Sequence, residues 1–187
     1  MGPLGDLLRR HPETWFLVDE ACIGLAGESV ASLVPQHANL LVTRTLSKAH
    51  SLAGFRVGYA ILPARVADDL NGHNDAYPLA RPSEAAAIAT LERQDEIHAR
   101  AALLRGWAAD LAAQMRALGA RTYPSETNFF LAEFPGRDAA VIATELERRN
   151  VLVKPLLDPS LGAGYMRITT ALPEDNARFL RALAEVL

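Results

Sequence analysis

The segment from Arg44 to Tyr59 constrains the fold more than any other part of the chain, because it joins two apolar runs through a polar turn. The run Leu40-Leu41-Val42 before the turn and the run from Val57 to Leu62 after it both predict buried strands. The turn itself carries Lys48 and Arg56. The sequence therefore predicts a strand–turn–strand unit with a lysine just beyond the end of its first strand.

Lysine is rare in this chain, since only Lys48 and Lys154 are lysines among 19 lysine and arginine residues. Arginine meets most of the need for positive charge, so a lysine at a strand end indicates a chemical role. A lysine amine can lose its proton, attack a carbonyl and form a Schiff base, which arginine cannot do. A surface lysine in a loop is the alternative for Lys48. Lys154, which precedes Pro155 without a carboxylate motif nearby, is predicted to be a solvent-facing strand end.

A second buried strand is predicted at Trp15-Phe16-Leu17-Val18, where successive apolar residues are typical of a strand covered on both faces of a parallel sheet. Asp19 and Glu20 follow it directly. Open α/β sheets bind ligands at the carboxyl ends of their strands, which makes Asp19 a candidate site residue. Capping of a turn or helix is the alternative for Asp19, and Glu20 is predicted to be structural.

The residues Thr45-Leu46-Ser47-Lys48-Ala49 and Leu52-Ala53-Gly54-Phe55-Arg56-Val57-Gly58-Tyr59 resemble the cofactor-lysine segment of the class I and II aminotransferases of fold type I. Within that family, which uses pyridoxal 5′-phosphate, the histidinol-phosphate aminotransferase branch is the most similar. The resemblance implies that Lys48 holds the cofactor covalently. It also implies that Ser47 and Arg56 bind the cofactor phosphate.

The same resemblance assigns a role to two residues near the first strand. Asp19 matches the aspartate that pairs with the protonated pyridine nitrogen, and this proton makes the ring a better electron sink. Cys22 stands where the family usually has a tyrosine whose hydroxyl bonds the ring oxygen of the cofactor. A thiol is a weaker hydrogen-bond donor than a phenol, so Cys22 is a departure from the family pattern at the cofactor site.

Two residues in the second half of the chain are candidates for substrate binding. Arg167 lies in a predicted strand between apolar neighbours, where a buried arginine needs an anionic partner. Its planar guanidinium suits a carboxylate, and the resemblance implies that it binds the α-carboxylate of the substrate. A structural salt bridge is the alternative for Arg167. Asn128 matches an asparagine that lies near the substrate side of the site in the family.

The predicted elements divide the chain into three parts, which together indicate an α/β fold. Residues 1–82 are expected to form part of a cofactor-binding large domain with a three-layer α/β/α architecture. A sustained apolar stripe predicts one long bridging helix over residues 83–118, with Ser83 as its N-cap. Residues 119–187 are predicted to form a small C-terminal α+β domain of about three strands and two helices, with one strand at residues 151–153.

Composition and charge limit the classes of partner that can be expected for this protein. The net charge of −3, with acidic and basic residues interspersed, gives no reason to expect nucleic acid or an anionic membrane as a partner. No apolar run reaches membrane-spanning length, and the start of the chain lacks the pattern of a signal peptide. The single cysteine excludes an internal disulfide and fits a reducing cytoplasm. The histidines lack metal-ligand spacing, so no metal site is expected.

The resemblance implies amino transfer between an amino-acid-like phosphate or aromatic amine and 2-oxoglutarate, with a homodimer as the expected assembly. It covers the whole chain but only about the C-terminal half of a usual family member. Groups that the family draws from its first half, among them a ring-stacking aromatic and a backbone cup for the phosphate, have no counterpart here. Two alternatives therefore stay open. One is another reaction on the same scaffold, such as decarboxylation of an amino-acid phosphate, and the other is a non-catalytic remnant that folds as an oligomer or subunit.

Overall fold

The computed structural model describes residues 2–75 and 77–187, which form two compact units. The first unit extends to His98 and the second runs from Ala99 to Leu187. Within the described ranges, no helix is both long and apolar enough to cross a bilayer.

Over its described residues, 2–75 and 77–98, the first unit contains a three-stranded sheet, three helices and the start of a fourth. Its elements are α1 (Pro3–Arg10), β1 (Phe16–Asp19), β2 (Leu40–Thr45), β3 (Gly58–Ile61), α2 (Ala64–Asn71), α3 (Arg81–Leu91) and the beginning of α4 (Gln94–Ala117). Two short 3₁₀ helices, Ala31–Gln36 and Ala53–Phe55, lie in the connections between strands.

The three strands pair in the order β1–β2–β3. β1 and β2 are parallel, with Asp19 opposite Thr43, whereas β3 runs antiparallel to β2. Because parallel neighbours end at the same edge of a sheet, the residues that follow β1 and β2 lie at one edge. A buried apolar cluster behind this sheet fixes the register of the pair; its members are Leu8, Val34, Leu40 and Val42.

The prediction that the first strand is buried on both faces is wrong. Phe16 and Val18 pack against the apolar cluster, but Leu17 between them is 65% exposed. The side chains of a strand alternate between the two faces of its sheet, and here only one face is covered. The strand is therefore half-buried, and its second face remains open in this chain. The burial predicted for the strand after the Lys48 turn is wrong as well, since Gly58, Tyr59 and Ala60 of β3 are exposed and Ile61 is only half-buried.

Ser83 is not an N-cap, contrary to the prediction. α3 begins at Arg81 with Ala80 as its N-cap residue, so Ser83 lies inside the first turn. Its hydroxyl donates instead to the backbone oxygen of Phe55 at 2.8 Å. Pro82 explains the earlier start, because proline is favoured in the first turn of a helix.

The long helix predicted over residues 83–118 is two helices, since α3 ends at Leu91 and α4 begins at Gln94. The Arg93 amide bonds to the oxygen of Thr90, three residues back, which tightens the backbone at the break. The Thr90 hydroxyl also donates to the oxygen of Ala86 at 2.7 Å, a contact that bends helices. An apolar stripe alone does not reveal such a break.

The second unit packs the rest of α4 and two further helices with a four-stranded antiparallel sheet of order β4–β5–β7–β6. Its remaining elements are β4 (Arg121–Thr122), β5 (Phe129–Glu133), α5 (Ala139–Glu147), β6 (Lys154–Pro155), β7 (Tyr165–Thr169) and α6 (Pro173–Val186). The most deeply buried side chains of its core include Met115, Ala132, Leu146, Met166 and Leu183.

The strand predicted at residues 151–153 is wrong. The ladder with β7 forms only at Lys154–Pro155. The Val151 amide is already used, since it donates to the oxygen of Leu146 at the end of α5. Val151 and Val153 nevertheless pack against the core of the unit, so the apolar pattern predicted their burial but not their pairing. The short β4 was not predicted.

Tyr123, Glu133 and Tyr165 form a chain of hydrogen bonds in the second unit. The Tyr123 hydroxyl donates to Glu133 Oε2 at 2.9 Å and lies 3.3 Å from the Tyr165 hydroxyl. Since the single proton of Tyr123 is used on Glu133, Tyr165 is the donor to Tyr123. This bond to Tyr123, supported by the negative charge of Glu133, raises the pKa of Tyr165 to about 12.

We expect Tyr123→Phe to lower the pKa of Tyr165 toward the ordinary tyrosine value of about 10, because the acceptor of its proton is lost. In the wild type, this bond contributes stability below about pH 10 that disappears as the pH rises through about 12. Ultraviolet titration of tyrosinate, with Tyr165→Phe used to isolate the Tyr165 signal, measures the shift. Tyr77→Phe is the matched control, since Tyr77 is 92% exposed. An unchanged Tyr165 titration in Tyr123→Phe would contradict this assignment.

Candidate active site

The candidate site lies where β1 and β2 end at the same edge of the first sheet. Beyond the last residue of β1, the Glu20 amide donates to the oxygen of Thr43 in β2 at 2.8 Å. This bond extends the parallel ladder by one step and fixes the start of the loop that follows β1. The loop therefore begins beside the strand that leads into the Lys48 turn.

The structure places Lys48 against Cys22. The Lys48 ammonium nitrogen lies 3.2 Å from the Cys22 sulfur, although the two residues belong to different connections. Gly24 explains how the connections approach so closely, because a Cβ added at Gly24 would lie 3.0 Å from the Cβ of Ala49. Gly24 also has a φ of +88°, a conformation that glycine adopts without strain. This contact could not be found by motif matching, which assigned Cys22 only by position.

The turn that carries Lys48 is held by backbone bonds on both sides. The Leu46 amide donates to the oxygen of Val57 at 3.0 Å, and the Leu52 amide donates to the oxygen of Leu46 at 2.9 Å. The Ser51 amide donates to the oxygen of Lys48 itself at 3.0 Å. Leu46 is fully buried, whereas Lys48 is exposed. The turn is thus anchored while its amine remains accessible.

Asp19 is exposed at the end of β1, and one of its carboxylate oxygens accepts hydrogen bonds from neighbouring residues. Its Oδ1 accepts from the Ala21 amide at 2.9 Å and lies 3.4 Å from the Thr43 hydroxyl. The turn-capping alternative is therefore present in the structure. Its other oxygen, Oδ2, accepts no hydrogen bond from residues 2–75 or 77–187 and is available to a ligand.

Ser47 and Arg56 occupy the two ends of the turn. The Ser47 amide donates to the Thr45 hydroxyl at 3.1 Å, and the two hydroxyls lie 2.8 Å apart. Arg56 adopts a left-handed conformation with a φ of +56°, and its guanidinium donates to the oxygen of Ala53 at 3.0 Å. The Arg56 side chain is otherwise exposed, so it can receive an anion.

A partly buried ion pair between Glu20, just after β1, and Arg44 in β2 was not predicted from the sequence. Glu20 Oε2 accepts from Arg44 Nε at 2.9 Å and from the Ser29 hydroxyl at 3.0 Å, while its Oε1 accepts from the Val30 amide at 2.6 Å. The hydrogen bond to the Tyr59 hydroxyl, and then the bond to Glu20, raise the pKa of Arg44 against the lowering effect of burial. The sequence shows a charged residue just after each of the two apolar runs, Glu20 and Arg44, but no short-range pattern indicates that these two residues pair.

Arg167 is exposed on β7, so the prediction that it is buried is wrong. Only Met166 and Ile168 of this strand face the core, and alternation places Arg167 on the other face. Its guanidinium lies 5.1 Å from the centre of the Phe129 ring, a cation–π contact. Among the residues that the structure describes, Arg167 has no ion pair, which removes support for the structural salt bridge. It lines a crevice of about 350 Å³ that Lys154 also lines.

Asn128 lies directly before β5 and is half-buried. Its backbone oxygen accepts from the Thr170 amide at 2.8 Å, which continues the pairing of β5 with β7. Asn128 and Arg167 both belong to the second unit, whereas Asp19, Cys22, Ser47, Lys48 and Arg56 belong to the first. Each unit thus carries one group of the predicted site residues.

The model of the family "Aminotransferase class I and II" matches residues 3–183 of this chain. Histidinol-phosphate aminotransferase 2 of Thiobacillus denitrificans is 36% identical over 90% of this chain and 48% of its own length. The histidinol-phosphate aminotransferase of Gluconacetobacter diazotrophicus is 35% identical over 100% of this chain and 53% of its own length. The chain therefore spans about half the length of the curated relatives that it matches.

Solved structures show the same partial match. The histidinol-phosphate aminotransferase of Sinorhizobium meliloti, solved in complex with pyridoxal 5′-phosphate, superposes with a TM-score of 0.86 at 24% identity over 99% of this chain and 53% of that one. The L-threonine-O-3-phosphate decarboxylase of Porphyromonas gingivalis gives a TM-score of 0.82 at 25% identity over 97% of this chain and 57% of that one. These matches confirm the predicted α/β architecture as part of the fold-type-I fold. With its family model matched over nearly the whole sequence, the chain belongs to the class I and II aminotransferases.

Proposed function

We propose that this chain carries the cofactor-attachment part of a pyridoxal 5′-phosphate-dependent enzyme that performs amino transfer of the histidinol-phosphate aminotransferase type. The observation that carries the proposal is the convergence of an accessible amine, Lys48, with the loop that follows Asp19 at one edge of the sheet. The 3.2 Å contact of Lys48 with Cys22 defines that convergence. The identity of 35–36% to histidinol-phosphate aminotransferases supports the reaction type.

The donor set at this edge fits an anionic, aldehyde-bearing ring. The accessible Lys48 amine can attach the aldehyde carbon, and the Ser47 hydroxyl and Arg56 guanidinium suit the phosphate. The free Oδ2 of Asp19 suits a protonated ring nitrogen. When bound, the cofactor supplies an electron sink for the substrate's α-carbon. Lys48 then carries a proton to and from that carbon as general base and acid.

Cys22 lies beside the amine where the family usually has a tyrosine. Its sulfur is already within reach of Lys48 Nζ, so it can contact the same end of the cofactor. A thiol donates a weaker hydrogen bond than a phenol. Cys22 therefore orients the Lys48 amine but holds a ring oxygen less firmly than a tyrosine does.

The second unit supplies the proposed substrate contacts. The exposed Arg167 fork can form two parallel hydrogen bonds to a carboxylate, and its position over the Phe129 ring limits the orientations of the guanidinium. Asn128 is the proposed neighbour on the substrate side. The partners are then a small amino donor and a 2-oxo acid such as 2-oxoglutarate, acting in a cytoplasmic homodimer.

Decarboxylation of an amino-acid phosphate is the second candidate, favoured by the similarity to the Porphyromonas gingivalis enzyme. A product assay separates the candidates. Glutamate formed from 2-oxoglutarate and histidinol phosphate supports amino transfer, whereas CO₂ released from threonine O-phosphate supports decarboxylation. We expect slow turnover from this chain, because this assignment gives the cofactor phosphate only Ser47 and Arg56. Absence of both products and of cofactor attachment would support the non-catalytic remnant.

Lys48→Arg should abolish the visible absorption band that the protein forms with pyridoxal 5′-phosphate, because arginine keeps the charge but cannot attack the aldehyde. Lys154→Arg, at the other lysine of the chain, is the matched control and should keep the band. Absorbance titration measures both. We also expect the wild-type band to fade on desalting, since few contacts hold the phosphate. A band that survives in Lys48→Arg and vanishes in Lys154→Arg would reverse the assignment.

Asp19→Asn should slow the spectral conversion of the loaded protein by an amine substrate by about tenfold or more, since one pKa unit of lost interaction is about 1.4 kcal/mol. The change is nearly isosteric and preserves the bond from the Ala21 amide, so the melting temperature should hardly move. Asp138→Asn is the matched control, because Asp138 accepts in the same way from the Ala140 amide at 2.8 Å. Equal conversion rates in the wild type and Asp19→Asn would show that Asp19 only caps its turn.

A further inference from the structure

We propose that Glu20 is a positioning residue for Lys48: its buried carboxylate, clamped by Arg44, holds the loop of residues 21–30 against the Lys48 turn. The inference rests on the proposed function and adds a residue that the family motif leaves without a task. Asp19 and Glu20 are adjacent in the sequence, but their side chains have different roles. Asp19 faces the ligand edge, while Glu20 points into the protein and is only 7% exposed.

The carboxylate of Glu20 joins three parts of the first unit. Its bonds reach Arg44 in β2, Ser29 at the far end of the loop, and the amide of Val30 next to it, at 2.9, 3.0 and 2.6 Å respectively. Glu20 therefore ties both ends of the 21–30 loop to one point beside β2. No other described carboxylate closes this loop.

Arg44 completes the clamp from the strand side. Besides Glu20, it donates to the Ser29 hydroxyl at 2.5 Å and to the Tyr59 hydroxyl in β3 at 3.4 Å. Arg44 lies in β2, four positions before Lys48. The clamp and the amine thus belong to one continuous segment, and a displacement of Arg44 is transmitted directly to the turn.

The loop held by this clamp carries the contacts that touch the Lys48 turn. Cys22 meets the Lys48 amine at 3.2 Å, and Gly24 passes so close that an added Cβ would stand 3.0 Å from Ala49. With both ends of the loop fixed, these contacts are set without any bond from Glu20 to Lys48. Release of one end would let Cys22 leave the amine and let the turn relax.

A purely structural role for Glu20 predicts a different result from a positioning role. Removing one partner of a buried pair leaves an uncompensated charge and destabilises a protein wherever the pair lies. Only a positioning role predicts an added, local effect on the reaction of Lys48 with an aldehyde. The Arg121–Glu133 pair of the second unit offers a comparison of similar geometry, since it also spans 2.9 Å and its carboxylate also accepts a hydrogen bond from a hydroxyl, that of Tyr123 at 2.9 Å. It is more exposed than the Glu20–Arg44 pair, with the Arg121 side chain 64% exposed.

The test compares Glu20→Gln with Glu133→Gln in the full chain mixed with pyridoxal 5′-phosphate. The rate at which the Lys48-dependent band appears should fall by about tenfold to a hundredfold in Glu20→Gln, because a misplacement of about 1 Å costs that much. Alkylation of Cys22 by iodoacetamide, without cofactor, should become faster in the same variant as the loop opens. Glu133→Gln should change neither rate. Equal effects of the two variants on band formation, or none, would overturn the proposal.

Ser29→Ala decides the question if Glu20→Gln does not fold. It removes one neutral donor to Glu20 and one acceptor of Arg44 but leaves the Glu20–Arg44 ion pair in place. It should change both rates in the same directions by a smaller factor. Wild-type rates in a folded Ser29→Ala variant would overturn the proposal. Failure of the proposed function looks different, because the wild type itself would then form no band that Lys48→Arg lacks.

Discussion

The parallel pairing of β1 with β2 is the constraint on which the candidate site depends. Asp19 lies opposite Thr43, and the ladder continues through the Glu20 amide. The connections that follow β1 and β2 therefore both begin at the same edge of the sheet. A parallel pair requires a long connection, and here that connection contributes Cys22 to the neighbourhood of Lys48. A shift of the register by one residue would turn the Asp19 side chain to the opposite face of the sheet and expose the apolar side chains of β1 that now face the core.

The ion pair between Glu20 and Arg44 helps to hold the loop that follows β1 at this edge of the sheet. The Glu20–Arg44 pair, in which only the carboxylate is fully buried, is weak evidence for stability on its own, because desolvation offsets much of the attraction between the two charges. Its carboxylate nevertheless has three donors, so the cost of burial is met by directional bonds. These bonds close the loop that follows β1. We infer that the pair is retained because it fixes the position of this loop. The burial of Glu20 is thereby linked to the reactivity of Lys48.

The sequence predicted those features that short patterns determine. The β2 strand, the Lys48 turn after it and the partial α/β fold are confirmed, since apolar runs and a dense motif define them locally. The errors arose where distant packing decides: Leu17 is exposed because one face of the sheet is open, and Arg167 is exposed because only alternate residues of β7 face the core. The Glu20–Arg44 pair, whose members lie 24 positions apart, leaves no periodic signal. The functional roles of Lys48 and Arg167 stay predictions.

The central claim is that one amine, placed by the ends of two parallel strands, holds the cofactor. The most direct measurement loads the protein with pyridoxal 5′-phosphate, reduces it with borohydride and maps the modified peptides by mass spectrometry. Since the chain has only two lysines, each serves as the reference for the other. We expect the label on the peptide that contains Lys48 and little on the peptide that contains Lys154. Label on Lys154 with none on Lys48 would contradict the account.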